Sequence, residues 1–358
     1  MKRFLAVVLM WTLAAPAAAA EWEMYGSARV GYFYSRLDEE AARFLNGAED
    51  SDFDLDFGLT NESHIGAAVK VNDALAGQFE YLAAAGSAEL RLLYGVYSFG
   101  TGSLLVGQDW TPIAVDFSNQ VIDADDNLAS VGAPDDGYLP QIKLKMGGFE
   151  VALIQNQAAS LENVPALDAD VKIPKIEMVY QYTTDRLFIM PFAGYQVFEL
   201  ENDDASYTLT AYVVGARSRV ALGPAYINLS ASYAQNAALF GLSSAYQGIT
   251  NQTVIGGDGE VNDSREVDLA AVAGLKASET ISFEAGVGYT NSALERFDDG
   301  DWEQTTWVYY ANAQVTIAPG FSITPEVGMY DFGDLETDDG DTDLGVRVYY
   351  GAKLQIDF

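Results

Sequence analysis

The chain ends in VYYGAKLQIDF, residues 348–358, where apolar and polar side chains alternate up to the last residue. The even positions from Val348 to Phe358 are apolar, whereas the odd positions include Lys353, Gln355 and Asp357. Successive side chains of a strand point to opposite faces, so this pattern predicts a strand with one apolar face. Because terminal residues of soluble domains are usually solvated, the final aromatic predicts a surface that buries it.

The same alternation recurs along the sequence. It is clear in TISFEAGVGYT at 280–290, in TTWVYYANAQVTI at 305–317 and in EWEMYGSARVGYFY at 21–34. No segment shows a convincing helical period. The longest apolar run, 187–195, is as short as a strand and is interrupted by Pro191. If the protein lies in a membrane, the pattern therefore predicts a barrel rather than a helical bundle.

Residues 1–20 are predicted to be a secretory signal peptide. They combine the basic residues Lys2 and Arg3, an apolar stretch over 4–13 and the small residues at 18–20. An anchoring membrane helix is the alternative, but the apolar stretch is shorter than the roughly 20 residues that span a bilayer. We expect cleavage before Glu21 and a single mature domain, 21–358.

The composition argues against several classes of function. Without Lys2 and Arg3 the mature chain keeps 17 of 19 basic residues against 52 acidic ones, a net charge near −35. Nucleic acid is not an expected partner, because binding it requires basic surfaces. The chain has no cysteine and only one histidine, His64, which leaves little room for thiol or imidazole chemistry. No cofactor is expected.

The connections predict the number of strands. Tight turns are predicted at seven places: Asn72–Asp73, 100–102, Gly147–Gly148, Thr184–Asp185, Gly223–Pro224, Ser278–Glu279 and Pro319–Gly320. Eight other connections, most of them long, alternate with these turns, and the third runs from Trp110 to Tyr138. The sequence therefore predicts an all-β, antiparallel, up-and-down transmembrane barrel of about sixteen strands with both termini at the short-turn end.

Three stretches carry a family resemblance. They are MYGSARVGYFY at 24–34, the region from Glu62 to Pro112, and the terminal strand ending in Phe358. With these stretches the chain resembles the general Gram-negative porins, which are sixteen-stranded, usually trimeric barrels whose third loop constricts the pore. The resemblance implies a location in the outer membrane, contact with its lipids and lipopolysaccharide, a homotrimer, and passive diffusion of small hydrophilic solutes.

Two departures from the family bear on function. Many porins have arginines on the barrel wall at the positions that His64 and Gln108 occupy here, so the wall opposite the third loop is expected to be less basic. The second outer connection, which in many porins reaches over a neighbouring subunit, shrinks to Gly86–Ser87. The short connection weakens the inference of a trimer.

The candidate site residues follow from the resemblance and from strand alternation. The constriction-loop candidates are acidic, and they are Asp116, Asp123, Asp125, Asp126, Asp135 and Asp136. The pore-wall candidates are Arg29, His64, Arg91, Gln108, Lys143, Lys145, Arg347 and Lys353. A charge on the lipid side near the bilayer midplane would cost about 2–4 kcal/mol, which favours the lumen for the basic residues. For Lys143 and Lys145 the alternative is that they only neutralise lumen carboxylates.

The sequence thus predicts an outer-membrane channel for passive diffusion of small hydrophilic solutes and ions, with a preference for cations. Charged rings at a constriction set ion selectivity, and this loop has six aspartates and no basic residue. A substrate-selective channel for a sugar or an organic acid is the alternative. A hydrolase using His64 is disfavoured, and the aspartate runs at 298–301 and 338–343 do not have the spacing of a calcium loop. No catalytic or metal-binding residue is predicted.

Overall fold

The computed structural model describes residues 20–47, 53–60, 62–84, 87–114, 116–156, 168–171, 173–201, 206–240, 254–255, 261–296 and 300–358. The predicted signal peptide, apart from its last residue, lies outside the described residues. The strands are β1 (Glu21–Leu37), β2 (Asp54–Leu59), β3 (His64–Lys70), β4 (Leu75–Ala84), β5 (Ser87–Phe99), β6 (Gly102–Trp110), β7 (Tyr138–Met146), β8 (Phe149–Ile154), β9 (Asp168–Asp170), β10 (Lys175–Tyr180), β11 (Tyr182–Thr183), β12 (Leu187–Glu201), β13 (Ser206–Leu222), β14 (Ala225–Gln235), β15 (Val254–Ile255), β16 (Val261–Asn262), β17 (Ser264–Lys276), β18 (Ile281–Arg296), β19 (Gly300–Ala318), β20 (Phe321–Asp331), β21 (Asp334–Glu336), β22 (Thr342–Asp343) and β23 (Val346–Asp357).

These segments form a closed antiparallel barrel of sixteen strands. β2 and β3 together make the second barrel strand, and β9, β10 and β11 make the eighth, while the short β15–β16 and β21–β22 pairs belong to long connections. β1 pairs with β23 from Ser27 opposite Asp357 to Leu37 opposite Arg347. The first and last strands therefore close the sheet, and the predicted fold class and strand number are confirmed.

The last residue is paired on its backbone. The Phe358 amide donates to the Gly26 carbonyl oxygen at 3.0 Å, and the Gly26 amide donates to the Phe358 carbonyl oxygen at 2.8 Å. The Phe358 ring lies against Gly26, where a Cβ atom would overlap it, and 70% of the residue remains exposed on the outer surface. The terminal aromatic residue thus packs at the junction between the first and last strands.

Replacing Phe358 by aspartate, or deleting it, is expected to lower the yield of assembled barrel without changing the conductance of the barrels that form. The junction would lose apolar contact with Gly26, and a charge would be placed on the outer face. The measurement compares the heat-sensitive gel mobility of surface-extracted protein with single-channel conductance. Phe358→Leu is the matched control, because it keeps an apolar side chain; equal yields for all variants would contradict the prediction.

The two faces of the wall differ in polarity. Outward side chains are apolar and exposed, as at Phe283, Val327 and Ile356, which are 49%, 55% and 51% exposed. The neighbouring inward side chains are polar and buried, as at Glu284 and Glu326. This separation is the reverse of a soluble protein and is typical of a barrel whose outside faces lipid.

Two α-helical segments among the described residues are not predicted from the sequence. An α-helix, α1 (Glu39–Asn46), lies in the first long connection, and a single turn, α2 (Ile122–Asp125), lies in the third. The Asp38 side chain caps α1 by accepting from the Ala41 amide, and Gly47 ends it with φ of 64°. The sequence does not reveal α1 because eight residues, about two turns, are few for a helical period to stand out, although the Asp cap and the Gly stop are readable signals. Within the described ranges, no helix has the length and apolarity that crossing a bilayer requires.

Much of the barrel interior is packed. One buried cluster joins Phe117, Ile122 and Leu128 of the third connection to Tyr330 and Tyr349 of the wall. A second buries the Phe240 ring and Ile113 among wall residues such as Phe192. The third connection is therefore part of an apolar core inside the barrel.

Candidate functional site: the lumen loop and the facing wall

The third connection lies inside the barrel. It follows β6 and precedes β7, as predicted, and we call residues 111–137 the lumen loop. The Gln120 side-chain amide donates to the hydroxyls of Tyr330 at 3.1 Å and Tyr349 at 3.3 Å. The Asn228 side chain donates to the Phe117 carbonyl at 2.8 Å. These wall residues belong to β14, β20 and β23, so the loop contacts strands on widely separated parts of the wall.

Two wall carboxylates fix the backbone of the loop. Glu326 accepts from the amides of Val121 at 2.9 Å and Ile122 at 3.1 Å. Glu284 accepts from the Asn119 amide at 2.5 Å and from the Asn119 side chain at 2.8 Å. Backbone N–H groups that would be buried without partners are thereby satisfied, which fixes the height of the loop in the lumen.

A buried ion cluster fastens both ends of the loop to β10. Lys175, which is fully buried, pairs with Asp136 near the end of the loop and lies 3.6 Å from Glu177. Glu177 also accepts from the amide of Ile113, near the start of the loop, at 3.2 Å. Because one strand holds both ends, this cluster should decide whether the loop stays in place.

The tip of the loop has a strained backbone. Asp123, Asp125, Asn127 and Leu128 have φ between 50° and 67°. Each residue other than glycine in this region costs about 1–2 kcal/mol, and such strain persists only where the surroundings impose it. The contacts with the barrel wall therefore hold the loop tip in this strained conformation.

The tip aspartates are paired with basic residues of the wall. Asp125 lies 2.5 Å from Arg29 and also pairs with Lys353. Asp123 accepts from Arg347 at 2.6 and 3.0 Å. The structure thus brings together three of the wall candidates and two of the loop candidates as ion pairs.

The other loop candidates have different surroundings. Asp116 is exposed and accepts from the Asn127 side chain at 3.2 Å. Asp126 accepts from Ser130 and, at 3.2 Å, from the Tyr330 hydroxyl; burial raises the pKa of Asp126 to about 6. Burial also raises the pKa of Asp135, whose carboxylate accepts from the Gly137 amide at 2.8 Å. Asp136 is buried in the Lys175 cluster and does not line open space.

The wall near β3 and β5 is held by a clamp around Arg91. Its guanidinium lies 2.9 Å from Glu62 and 3.0 Å from Glu80, and 4.8 Å from the centre of the Trp110 ring. The His64 Nε2 atom is 3.9 Å from Glu80. These contacts place Arg91 and His64 in one polar cluster.

Gln108 has a structural contact. Its side-chain amide donates to the carbonyl oxygens of Leu90 at 2.7 Å and Arg91 at 3.1 Å. It therefore supports the backbone that carries Arg91.

The two lysines after the loop are also paired. Lys143 lies 2.6 Å from Asp109, and Lys145 lies 2.6 Å from Glu150. These pairs favour the alternative in which the lysines neutralise lumen carboxylates.

An opening of about 310 Å³ remains beside the loop. Its charged lining comprises three cations and four carboxylates: Arg29, Arg91, Lys353, Glu62, Asp116, Asp125 and Asp135. Basic groups lie on the wall, and three of the four carboxylates belong to the loop. Among the described residues that line it, the carboxylates thus exceed the cations by one.

Sequence reasoning missed the residues that hold the loop. The candidates predicted from the sequence do not include Lys175, Glu177, Glu284 or Glu326. Each occupies an inward position of an alternating strand, so the pattern identifies its face. Strand alternation does not identify which inward residue contacts a loop from another part of the chain.

Together, the closed sixteen-stranded barrel, the apolar outer face and the loop folded inside it define the porin fold. No protein-family model and no curated protein matches the sequence.

Solved structures confirm the resemblance at the level of the fold. The outer-membrane channel DcaP of Acinetobacter baumannii superposes with a TM-score of 0.70 at 15% identity, covering 95% of this chain and 98% of that one. The trimer form of OmpT, an outer-membrane protein of Vibrio cholerae, gives 0.59 at 14% identity, covering 95% and 100%. The anion-selective porin of Comamonas acidovorans gives 0.56 at 12% identity, covering 95% and 100%.

Proposed function

We propose that this protein is an outer-membrane porin that lets small hydrophilic solutes and ions diffuse passively, without a catalytic step. The observation that carries the proposal is a loop fastened inside a closed barrel whose outside is apolar. Such a barrel separates lipid from a polar interior, and the loop reduces the open cross-section. The signal peptide, the contacts with outer-membrane lipids and lipopolysaccharide, and a homotrimer belong to the same proposal. The trimer form of the similar OmpT supports the homotrimer.

We further propose a modest cation preference. The supporting observation is the single excess carboxylate around the opening beside the loop, with the exposed Asp116 as its main contributor. Ion pairing at Asp123 and Asp125 makes the preference smaller than six loop aspartates suggest. The similar Comamonas porin is anion-selective, so charges in the lumen, rather than the fold, must decide the sign.

The test is a planar-bilayer recording of purified protein under a potassium chloride gradient. The reversal potential should have the sign of cation flow and shrink as salt rises, because salt screens the carboxylates. Liposome swelling should fall gradually with solute size, and three equal conductance steps per insertion would support a trimer. Absence of conductance from correctly folded protein would refute the channel, and an anion-selective reversal potential would refute only the cation preference.

The cation preference is expected to decrease as the pH is lowered. Asp126 gains a proton around pH 6 because burial raises its pKa to that value from the ordinary 3.8. Between about pH 8 and about pH 5 the lumen therefore loses a negative charge. Asp126→Asn should have a reduced preference at the higher pH and a flatter pH profile; reversal potentials measure both. A variant as pH-dependent as the natural protein would contradict this assignment.

The stability of the folded protein also depends on the protonation of Asp126. Because the pKa is raised by packing the loop, the protonated form favours the packed loop. This stabilisation is complete below about pH 4 and is lost as pH rises through about 6. Asp126→Asn should remove this contribution. The melting temperature of the variant should therefore decline less than that of the natural protein as the pH rises from about 4 to about 6.

A further inference from the structure

A second recess lies at the short-turn end of the barrel, on the other side of the lumen loop. It measures about 610 Å³ and is lined by the loop residue Asn119, by Arg219, Tyr226 and Glu284 of the wall, and by the turns at 223–224 and 278–280. It shares only Asn119 and Gln314 with the opening beside the loop. The recess is therefore a separate part of the solute path.

Arg219 presents to this recess a guanidinium that forms no salt bridge with any described residue. It alternates with the buried Arg217 on β13 and so points inward. Within the described ranges no carboxylate lies within salt-bridge distance of Arg219, whereas other inward basic residues such as Arg29 and Lys143 are ion-paired. The Arg219 guanidinium retains its charge and its forked N–H donors for another partner.

Tyr226 holds the guanidinium in place. The Arg219 Cζ atom lies 3.9 Å from the centre of the Tyr226 ring, a close cation–π contact. The ring is seated on Gly274, where a Cβ atom would overlap it, and its hydroxyl donates to Glu284. The Tyr226 ring that stacks on Arg219 is thus held by Gly274 at its face and by Glu284 at its hydroxyl.

Glu284 is occupied by other donors. It accepts from Asn119, from Tyr226 and, at 2.6 Å, from the Tyr310 hydroxyl. These bonds occupy its oxygens, so it forms no salt bridge with Arg219, although its negative charge remains in the recess. The nearby Lys276 lies 3.2 Å from Glu279 at the rim and adds no net charge.

We propose that this recess is a subsite for small planar carboxylates; the proposal rests on the proposed channel function. A carboxylate can accept two parallel N–H bonds from a guanidinium fork, which an ammonium cannot offer. The face of the guanidinium opposite Tyr226 is suited to stacking on a flat ring. Because the site is open to water, the affinity is weak, as a solute in transit requires.

The test uses benzoate as the probe and benzamide as its neutral counterpart. Benzoate added at the short-turn end should reduce the bilayer current with saturation, and Arg219→Gln should weaken this block by about fivefold or more, the effect of losing charge-assisted bonds. Arg219→Lys should fall between the two, because it keeps the charge without the fork. Arg186→Gln, an equal charge change at an exposed turn outside the recess, is the matched control and should not change the block.

Several results would overturn the subsite. They are an equal block of Arg219→Gln and the natural protein, an equal effect of benzamide, or an equal effect of inorganic phosphate. Saturation-transfer NMR on the barrel in detergent measures benzoate binding without current. Arg219-dependent binding to a barrel that does not conduct would refute the channel and keep the subsite, whereas conduction without binding would refute only the subsite.

Discussion

Replacing Asp125 by asparagine is expected to shift the ion preference toward anions. Asp125 pairs with both Arg29 and Lys353, so its removal leaves these two cations of the wall facing the opening beside the loop without their shared carboxylate. A unit charge several ångströms from the ion path, in a medium between protein and water, contributes on the order of 1 kcal/mol. The cation-to-anion permeability ratio should therefore fall by about fivefold. Reversal potentials under a potassium chloride gradient measure this change.

Charge compensation provides the matched control for Asp125→Asn. Lys353→Met alone should raise the cation preference, and the Asp125→Asn, Lys353→Met double variant should return toward the natural value. Asp341→Asn makes the same charge change on an exposed outer segment and should have little effect, because salt screens it. A reversal potential that Asp125→Asn leaves unchanged would remove the lumen loop from the selectivity mechanism.

The architecture of the barrel was readable from the sequence because a wall between lipid and water imposes a local rule. Alternation assigned Phe358 and Ile356 to the outer face and Lys353 to the inner one, and the structure agrees. The tight turns fixed the number of strands. The helix α1 is not predicted because its eight residues, 39–46, span only about two turns, too few for a helical period to stand out from the alternation around them.

The site was readable only in part. The sequence located the lumen loop and its aspartates, since both lie in one continuous segment. It could not show that Asp123 and Asp125 meet arginines of the wall, because these contacts join residues more than 90 positions apart. Nor could it show that Arg219 forms no salt bridge with the described residues, since that depends on what every nearby carboxylate already contacts. Charge counts along a chain therefore overstate the field in the lumen.

Lys175→Met is expected to release the lumen loop. The substitution leaves Asp136 and Glu177 buried without their common counter-charge, a loss of about 3–5 kcal/mol for broken buried pairs. A loss of about 3 kcal/mol raises the population of the detached loop by roughly a hundredfold. The expected results are a larger or noisier single-channel conductance and faster cleavage by endoproteinase Asp-N at the aspartates of the loop tip. The barrel itself should remain closed, and heat-sensitive gel mobility measures whether it does.

The compensated variant separates charge from packing. Combining Lys175→Met with Asp136→Asn and Glu177→Gln removes every charge of the cluster while keeping similar volumes, and buried ion pairs can often be replaced in this way with little loss. Conductance and protease resistance should then return close to those of the natural protein. The Ile113 amide would still have an acceptor in the glutamine carbonyl at position 177. If Lys175→Met alone conducted and resisted cleavage like the natural protein, the loop would be held by Glu284 and Glu326 without help from β10.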